Sequence, residues 1–247
     1  MKKIITFLVI IILVLLIAFF AVFGLAKKKV IFINEWFVNE KTNTIGVDVS
    51  SYQANVDMKA LKQQDIEFVY IKASEGSKHQ DSKFAENWNN ANEAGLPSGA
   101  YHFFSYDSPG KSQAENFISV VGTNLKGRMI PVVDVEYYGD KEENPPAKED
   151  VVRELSAYLE AVEAQYGVKP MIYTRSDIYE KYLEGTFETY LYWISSLYTP
   201  LKWNYHGDWV LWQYLNRGVL DGYEGGEKYI DLNVLNKDKK LDDLIIK

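Results

Sequence analysis

The sequence predicts an α/β fold, a modified TIM-type barrel of eight strands with fewer helices in the second half, preceded by one transmembrane helix. Three observations support this. The chain of 247 residues starts with a long uncharged stretch. The remainder alternates strand-like and helix-like runs, as parallel strands joined by crossovers do. The strand-like runs number eight, and roughly 200 residues suffice for one barrel.

The uncharged stretch covers residues 4–26, between Lys2 and Lys3 on one side and three lysines at 27–29 on the other. At about 1.5 Å per residue it can cross a hydrocarbon core of roughly 30 Å. A cleaved signal peptide more often has an apolar region of about 7–15 residues before a small-residue cleavage site. The segment FGLAKKK at 23–29 offers no good site of this kind. We therefore expect an uncleaved anchor, with secretion after signal cleavage as the alternative.

These patterns divide the chain into three predicted regions. Residues 1–29 form a cytoplasmic stub and transmembrane anchor, residues 30–43 a short stalk, and residues 44–247 the barrel domain. Lysines at both ends of the apolar stretch leave its orientation open. Trp36 and Phe37 in the stalk suit either the membrane interface or packing on the domain.

Composition excludes several functional classes. The chain has no Cys, so disulfides, thiolate metal sites and a Cys nucleophile are excluded. Five of the 27 basic residues are lysines within residues 1–29, so the rest carries 22 basic against 34 acidic side chains, a net charge of −12. Such an acidic body argues against nucleic acid as a partner. The 18 Tyr, 12 Phe and 6 Trp supply apolar ring faces of the kind on which sugars stack.

The elements of the barrel follow in order. Predicted strands are 44–50, 68–74, 98–104, 129–137, 170–175, 190–196, 209–215 and 229–235. Predicted helices are 56–64, 81–94, 111–121 and 149–166, the second closed by Gly95 and the last by Gly167. The later connections 198–208 and 216–228 are too rich in Gly, Asn and Asp for full helices, so loops join the last strands.

The fourth predicted strand, MIPVVDVEY, places two acids in an apolar run. Asp134 and Glu136 are two residues apart, so both face one side of the strand. Burying a carboxylate costs several kcal/mol unless it is paired or protonated. Two carboxyls in unlike surroundings are what glycosidic bond cleavage requires, one protonated and one ionised. A pair that caps the strand end or binds a cation is the alternative.

Polar side chains collect near the ends of all eight predicted strands, where catalytic groups of β/α barrels lie. In chain order they are Asp48, Ser50, Lys72, Ser74, Glu75, Tyr101, His102, Asp134, Glu136, Tyr173, Arg175, Trp193, Ser195, Gln213, Tyr214, Asp231 and Asn233. Stability alone does not account for acids and sugar-binding groups at most strand ends, so we expect one shared site.

An ordered set of motifs, one for each strand, resembles glycoside hydrolase family 25, the lysozyme-like muramidases of bacteria and their phages. The motifs are GVDVSSYQ (46–53), YIKASEG (70–76), GAYHFF (99–104), PVVDVE (131–136), IYT (172–174), WIS (193–195), LWQY (211–214) and IDLN (230–233). They extend from about residue 44 to about 236, which is essentially the whole body of the protein.

This resemblance implies hydrolysis of the β-1,4 bond between N-acetylmuramic acid and N-acetylglucosamine in peptidoglycan. It implies that Glu136 is the general acid/base, and that Asp134 orients the 2-acetamido group and stabilises the charge on the intermediate formed when that group attacks C1. Asp48 and Asp231 match further active-site acids; the positions that match the sugar groove are Tyr101, Tyr173, Trp193 and Gln213. The family usually has an aromatic residue four positions after the tryptophan, whereas this chain has Leu197 there and Tyr198 next.

Two other functions fit the same residues. A related glycosidase would cleave chitin-like N-acetylglucosamine polymers, and a non-catalytic wall-binding module would keep the groove without the chemistry. Three scattered histidines and the absence of G-x-S-x-G disfavour a zinc site and serine hydrolysis. We expect no cofactor or metal, a monomeric catalytic domain, peptidoglycan glycan strands and the membrane as partners, and an extracellular barrel.

Overall fold

The computed structural model describes residues 2–28 and 31–247. Helix α1, Lys2–Lys27, is apolar and exposed over nearly its whole length, and it is long enough to cross a membrane. This confirms the predicted N-terminal helix. The predicted boundary between anchor and stalk, at residues 29 and 30, lies outside the described residues.

The segment 31–43 packs on the barrel. It contains a 3-10 turn, Asn34–Trp36, and Asn34 is fully buried. The Asn34 side-chain amide donates hydrogen bonds to the backbone carbonyls of Ser196, at 2.6 Å, and Tyr214, at 2.9 Å. These two bonds attach the segment to two different parts of the barrel.

Eight strands close the barrel, as predicted. They are β1 (Ile45–Val49), β2 (Ile66–Glu75), β4 (Ser98–Phe103), β5 (Val132–Val135), β6 (Met171–Arg175), β7 (Tyr192–Ser195), β8 (Leu211–Gly218) and β9 (Ile230–Leu235), with the two-residue strand β3 (His79–Gln80) paired to β2. Each barrel strand pairs with the next, and β9 pairs with β1 to complete the closure.

The last strand differs from the expected all-parallel arrangement. Strands β1 to β8 of the barrel are parallel, whereas β9 is antiparallel to both β8 and β1. A parallel crossover needs a dozen or more residues, usually including a helix. Residues 219–229 form a short, irregular connection without a helix, so the chain turns back on itself.

Helices cover mainly the first half of the barrel. The four helices predicted from sequence are present as α2 (Met58–Gln63), α3 (Phe84–Ala94), α4 (Gly110–Val121) and α5 (Lys148–Tyr166). The second half has only short helical elements, as expected. None of them was predicted individually, and the longest is α6 (Ser176–Ile178), which continues into a π-helical turn, Tyr179–Leu183.

Two glycines make room for the rings that fill the barrel interior. A Cβ on Gly46 would lie 2.4 Å from the Phe68 ring, and one on Gly99 would lie 2.2 Å from the Tyr70 ring. Tyr70 in turn packs on Trp193, with ring centroids 5.1 Å apart. These rings close the interior below the polar residues, so the barrel has a packed floor rather than a pore.

Candidate active site

All eight residues predicted for the site line one cavity at the carboxyl ends of the parallel strands. They are Asp48, Tyr101, Asp134, Glu136, Tyr173, Trp193, Gln213 and Asp231. The structure therefore brings together the eight residues predicted for catalysis and sugar binding, whereas seven others of the strand-end set do not line this cavity: Ser74, Glu75, His102, Arg175, Ser195, Tyr214 and Asn233.

The carboxyl pair lines this cavity. Asp134 is on β5, and Glu136 is the first residue after that strand. Both side chains line the cavity, as period-two alternation predicts. Asp134 is 9 % exposed, and its Oδ1 atom is buried with no hydrogen-bond partner among the described residues. An unpaired buried carboxylate oxygen is costly to a fold, so this atom points to a role with a ligand.

A hydrogen-bond network fixes Asp48. Its Oδ2 atom accepts from the side-chain amides of Gln213, at 3.0 Å, and Asn233, at 2.8 Å. Gln213 is held in turn because its Oε1 atom accepts from the Tyr173 hydroxyl, at 2.8 Å. Trp193 donates its indole N–H to Asn233 Oδ1, at 2.9 Å. These hydrogen bonds therefore hold the Asp48 carboxylate and the Tyr173 and Trp193 side chains in fixed positions relative to one another.

Asp231 reaches the site because β9 runs against the other strands. It is the second residue of β9, and in the ladder it lies opposite Asp48. In a parallel strand, a residue at the start would lie at the far end of the barrel. The reversal of β9 brings this early residue to the catalytic end.

Burial raises the pKa of all four acids above the ordinary carboxyl range. It raises the pKa of Glu136 to about 7 against the opposing charge of Arg175, and that of Asp48 to about 6 against its hydrogen bonds. Burial and then the charge of Glu136 raise the pKa of Asp134, and burial and then Asp48 raise that of Asp231. The site can therefore hold a protonated carboxyl near neutral pH beside others of different environment.

Further residues in the cavity were not assigned to the site from sequence. They are Val49, Tyr52, Gln53, Phe103 and Val132, whereas Ser50 and Lys72, which also line the cavity, belong to the predicted strand-end set. Tyr52 is notable because it is 72 % exposed at the cavity, in the position of a ring on which a sugar could stack. It belongs to the motif GVDVSSYQ, so the sequence signal for it was present.

The groove continues past the carboxyl pair. A second depression shares Glu136, Tyr173, Gln213 and Asp231 with the cavity and adds Arg175, Ser195, Leu197, Tyr198 and Asn216. Leu197 and Tyr198 together form part of this wall, where one aromatic residue was expected. The Tyr198 ring packs on Phe32, with centroids 4.7 Å apart.

Several other polar residues have structural roles. Lys72 Nζ and Glu75 Oε2 form an ion pair at 2.7 Å. His102 is fully buried and bonded to Ser74 Oγ at 2.8 Å, and burial lowers its pKa to about 3. The described residues contain no group of three or more His, Asp or Glu side chains able to hold a metal ion.

Comparison with known proteins gives a consistent result. The model of the family "Glycosyl hydrolases family 25" matches residues 47–223. A solved family 25 glycosyl hydrolase from Bacillus anthracis is 44 % identical, with a TM-score of 0.73, over 81 % of this chain and 93 % of that one. A lysozyme from Streptomyces coelicolor is 26 % identical, with a TM-score of 0.69, over 82 % and 95 %. The autolytic lysozyme of Clostridium acetobutylicum is 31 % identical over 73 % of this chain and 53 % of its own length.

Proposed function

Because the chain belongs to glycosyl hydrolase family 25, we propose that it is a membrane-anchored muramidase that cleaves the β-1,4 bond between N-acetylmuramic acid and N-acetylglucosamine in peptidoglycan. The observation that supports this most directly is the carboxyl pair at the end of β5. Burial raises the pKa of Glu136 to about 7, and buried Asp134 has a carboxylate oxygen without a partner among the described residues.

In this proposal Glu136 is the general acid and then the general base. Protonated near neutral pH, it donates its proton to the glycosidic oxygen as the bond to the N-acetylglucosamine leaving group breaks. The resulting carboxylate then takes a proton from the water that attacks C1. A pKa close to the working pH suits both steps.

Asp134 acts on the 2-acetamido group of the N-acetylmuramic acid unit. Its free oxygen, Oδ1, accepts the acetamido N–H, which directs the acetamido oxygen towards C1. When that oxygen bonds to C1, positive charge spreads over the new ring, and the Asp134 carboxylate stabilises it. Oδ1 has no partner among the described residues, so in this proposal the substrate supplies its hydrogen bond.

The other predicted residues hold the sugar. The rings of Tyr101, Tyr173 and Trp193 offer apolar faces, while Gln213 and the acids Asp48 and Asp231 offer hydrogen-bonding groups for hydroxyls. The network that fixes Asp48 and Gln213 orders these groups before substrate arrives, which reduces the cost of binding.

We further propose that α1 remains in the membrane as a single-pass anchor, with residues 1–29 as the stub and anchor and the barrel of residues 44–247 outside the cell. The substrate lies outside the cytoplasmic membrane, so the barrel must be exported to reach it. A tether also suits an acidic body that anionic surfaces would repel. Anchoring confines cleavage to nearby wall and favours local remodelling over bulk lysis.

Mass spectrometry of digested peptidoglycan tests the reaction. The full-length protein in detergent is incubated with purified peptidoglycan, and the new ends are reduced with borohydride. We expect muropeptides that end in reduced N-acetylmuramic acid, and none with Glu136→Gln. Glu143→Gln, the same change at an exposed acid in the loop between β5 and α5, should digest normally.

The outcomes separate the alternatives. Ends in reduced N-acetylglucosamine, or cleavage of chitin oligomers without cleavage of peptidoglycan, would indicate a different glycosidase. Sedimentation of the folded protein with peptidoglycan without any cleavage would indicate a wall-binding module. A near-normal rate for Glu136→Gln would refute the role of that residue.

A further inference from the structure

Three aromatic rings pack together where α1 meets the barrel. Trp203, in the turn Leu201–Trp203, packs on Phe23 of α1, with centroids 5.6 Å apart, and on Phe37, with centroids 5.9 Å apart. Trp36 precedes Phe37 in the chain. We call Phe23, Trp36, Phe37 and Trp203 the interfacial patch.

The patch is unusually open for large apolar residues. Trp36 is 71 % exposed, Phe37 50 % and Trp203 36 %. None of the four rings lines the cavity or its extension past Glu136, so glycan binding does not account for them. Contiguous exposed apolar residues of this size mark a surface that contacts a partner.

The patch is also held in place by the barrel. Buried Asn34 attaches the turn Asn34–Trp36 to the carbonyls of Ser196 and Tyr214. Ala26, three residues after Phe23 on α1, is fully buried against the protein. The end of the helix and the aromatic side chains therefore form one surface rather than two independent parts.

The position of Phe23 along α1 identifies the partner. Counted from the first apolar residue at position 4, Phe23 lies about 29 Å along the helix axis. The hydrocarbon core of a bilayer is roughly 30 Å thick. If α1 crosses the membrane, Phe23 lies at the outer edge of that core, and Trp203 beside it lies at the level of the lipid headgroups.

Tryptophan is enriched at this level because its ring is apolar and its N–H is polar. We propose that the interfacial patch inserts into the headgroup region of the bilayer that α1 crosses, so that the barrel rests on the membrane instead of moving freely on a tether. This inference depends on the membrane anchoring proposed above and not on the chemistry of cleavage.

Insertion of the patch also sets the orientation of the groove relative to the membrane. The connection from β7 to β8 contains Trp203 of the patch and also Leu197 and Tyr198 of the groove wall. One end of the groove is therefore held beside the bilayer surface. In this orientation the enzyme acts on the glycan strands that lie closest to the membrane.

Quenching by brominated lipid tests the insertion. The full-length protein is reconstituted into phosphatidylcholine vesicles, with or without bromine at carbons 6 and 7 of the acyl chains. Two of the six tryptophans belong to the patch, so we expect brominated lipid to remove up to about one third of the tryptophan emission. Trp36→Phe with Trp203→Phe should abolish that loss.

The control is Trp88→Phe, since Trp88 lies on α3 under Arg128 and away from the patch. It should leave the quenching unchanged. Flotation of the vesicles shows separately whether α1 holds the protein in the membrane. Protein that fails to float would refute the anchor. Protein that floats but has equal emission in the two lipids would refute insertion of the patch, as would quenching that persists in the double variant.

Discussion

Raising the pH from 6 to 8 should reduce the rate of glycan cleavage about tenfold. Glu136 must carry a proton to act as the acid, and burial raises its pKa to about 7. With that pKa, roughly nine-tenths of the enzyme holds the proton at pH 6 and roughly one-tenth at pH 8. The sign follows from the raised pKa: the active form is present below pH 7 and is lost as the pH rises through it.

A substitution at Arg175 should show that the loss of cleavage rate at high pH comes from deprotonation of Glu136. The charge of Arg175 lowers the pKa of Glu136, against the larger effect of burial. Arg175→Gln removes that charge, so the decline should move to higher pH. Burial raises the pKa of Asp48 to about 6 against its hydrogen bonds to Asn233 and Gln213. A decline that moves to higher pH in Arg175→Gln is the result expected when Glu136 carries the proton.

The assay is kcat/KM on soluble glycan fragments at constant ionic strength from pH 5 to 9, with circular dichroism at each pH to verify folding. Arg153→Gln is the matched control, because Arg153 is an exposed arginine in ion pairs on α5, away from the cavity. It should leave the profile in place. A rate that is constant or rises between pH 6 and 8 would contradict the assignment, as would an Arg175→Gln profile that moves to lower pH.

Three further predictions concern other residues. Asp134→Asn should lower the cleavage rate about 10²–10³-fold and yet raise the melting temperature at pH 8. Since the pKa of Asp134 is raised in the folded state, the wild type loses stability as the pH rises above about 4. A variant whose melting temperature at pH 8 does not rise would argue against this. Gly99→Ala should destabilise the fold by about 1–3 kcal/mol in urea unfolding, because its Cβ would meet the Tyr70 ring, while Gly226→Ala, with nothing within 4 Å, should be close to neutral. Tyr52→Ala should raise KM for long glycans and leave the pH profile unchanged; an unchanged KM would remove Tyr52 from the sugar-binding surface.

Much of the architecture was accessible from sequence because it depends on local patterns. The strand at residues 129–137 and its neighbours were recognised from apolar runs, and four helices from their sequence pattern, two of them with a glycine that ends the helix. The helical turn at residues 176–183 was missed because it is short and irregular, so it contains too few residues for a period to be visible.

The site residues also divide into those that local sequence patterns predict and those that only the folded surface reveals. Period-two alternation placed Asp134 and Glu136 on one face, and the strand-end rule grouped them with Asp48 and Tyr101. Tyr52 was overlooked although it lies in a motif of the first strand. Its significance comes from its exposure at the cavity, which is a property of the folded surface.

The sequence by itself determined the barrel, the apolar helix and the identities of the acids, since each follows from residues close together in the chain. Only the tertiary structure decided how those acids are held. The partners of Asp48 are 165 and 185 residues away, at Gln213 and Asn233, and Asp231 joins the site because β9 runs antiparallel. Such contacts depend on the closure of the barrel and the direction of its last strand, and no local pattern encodes either of them.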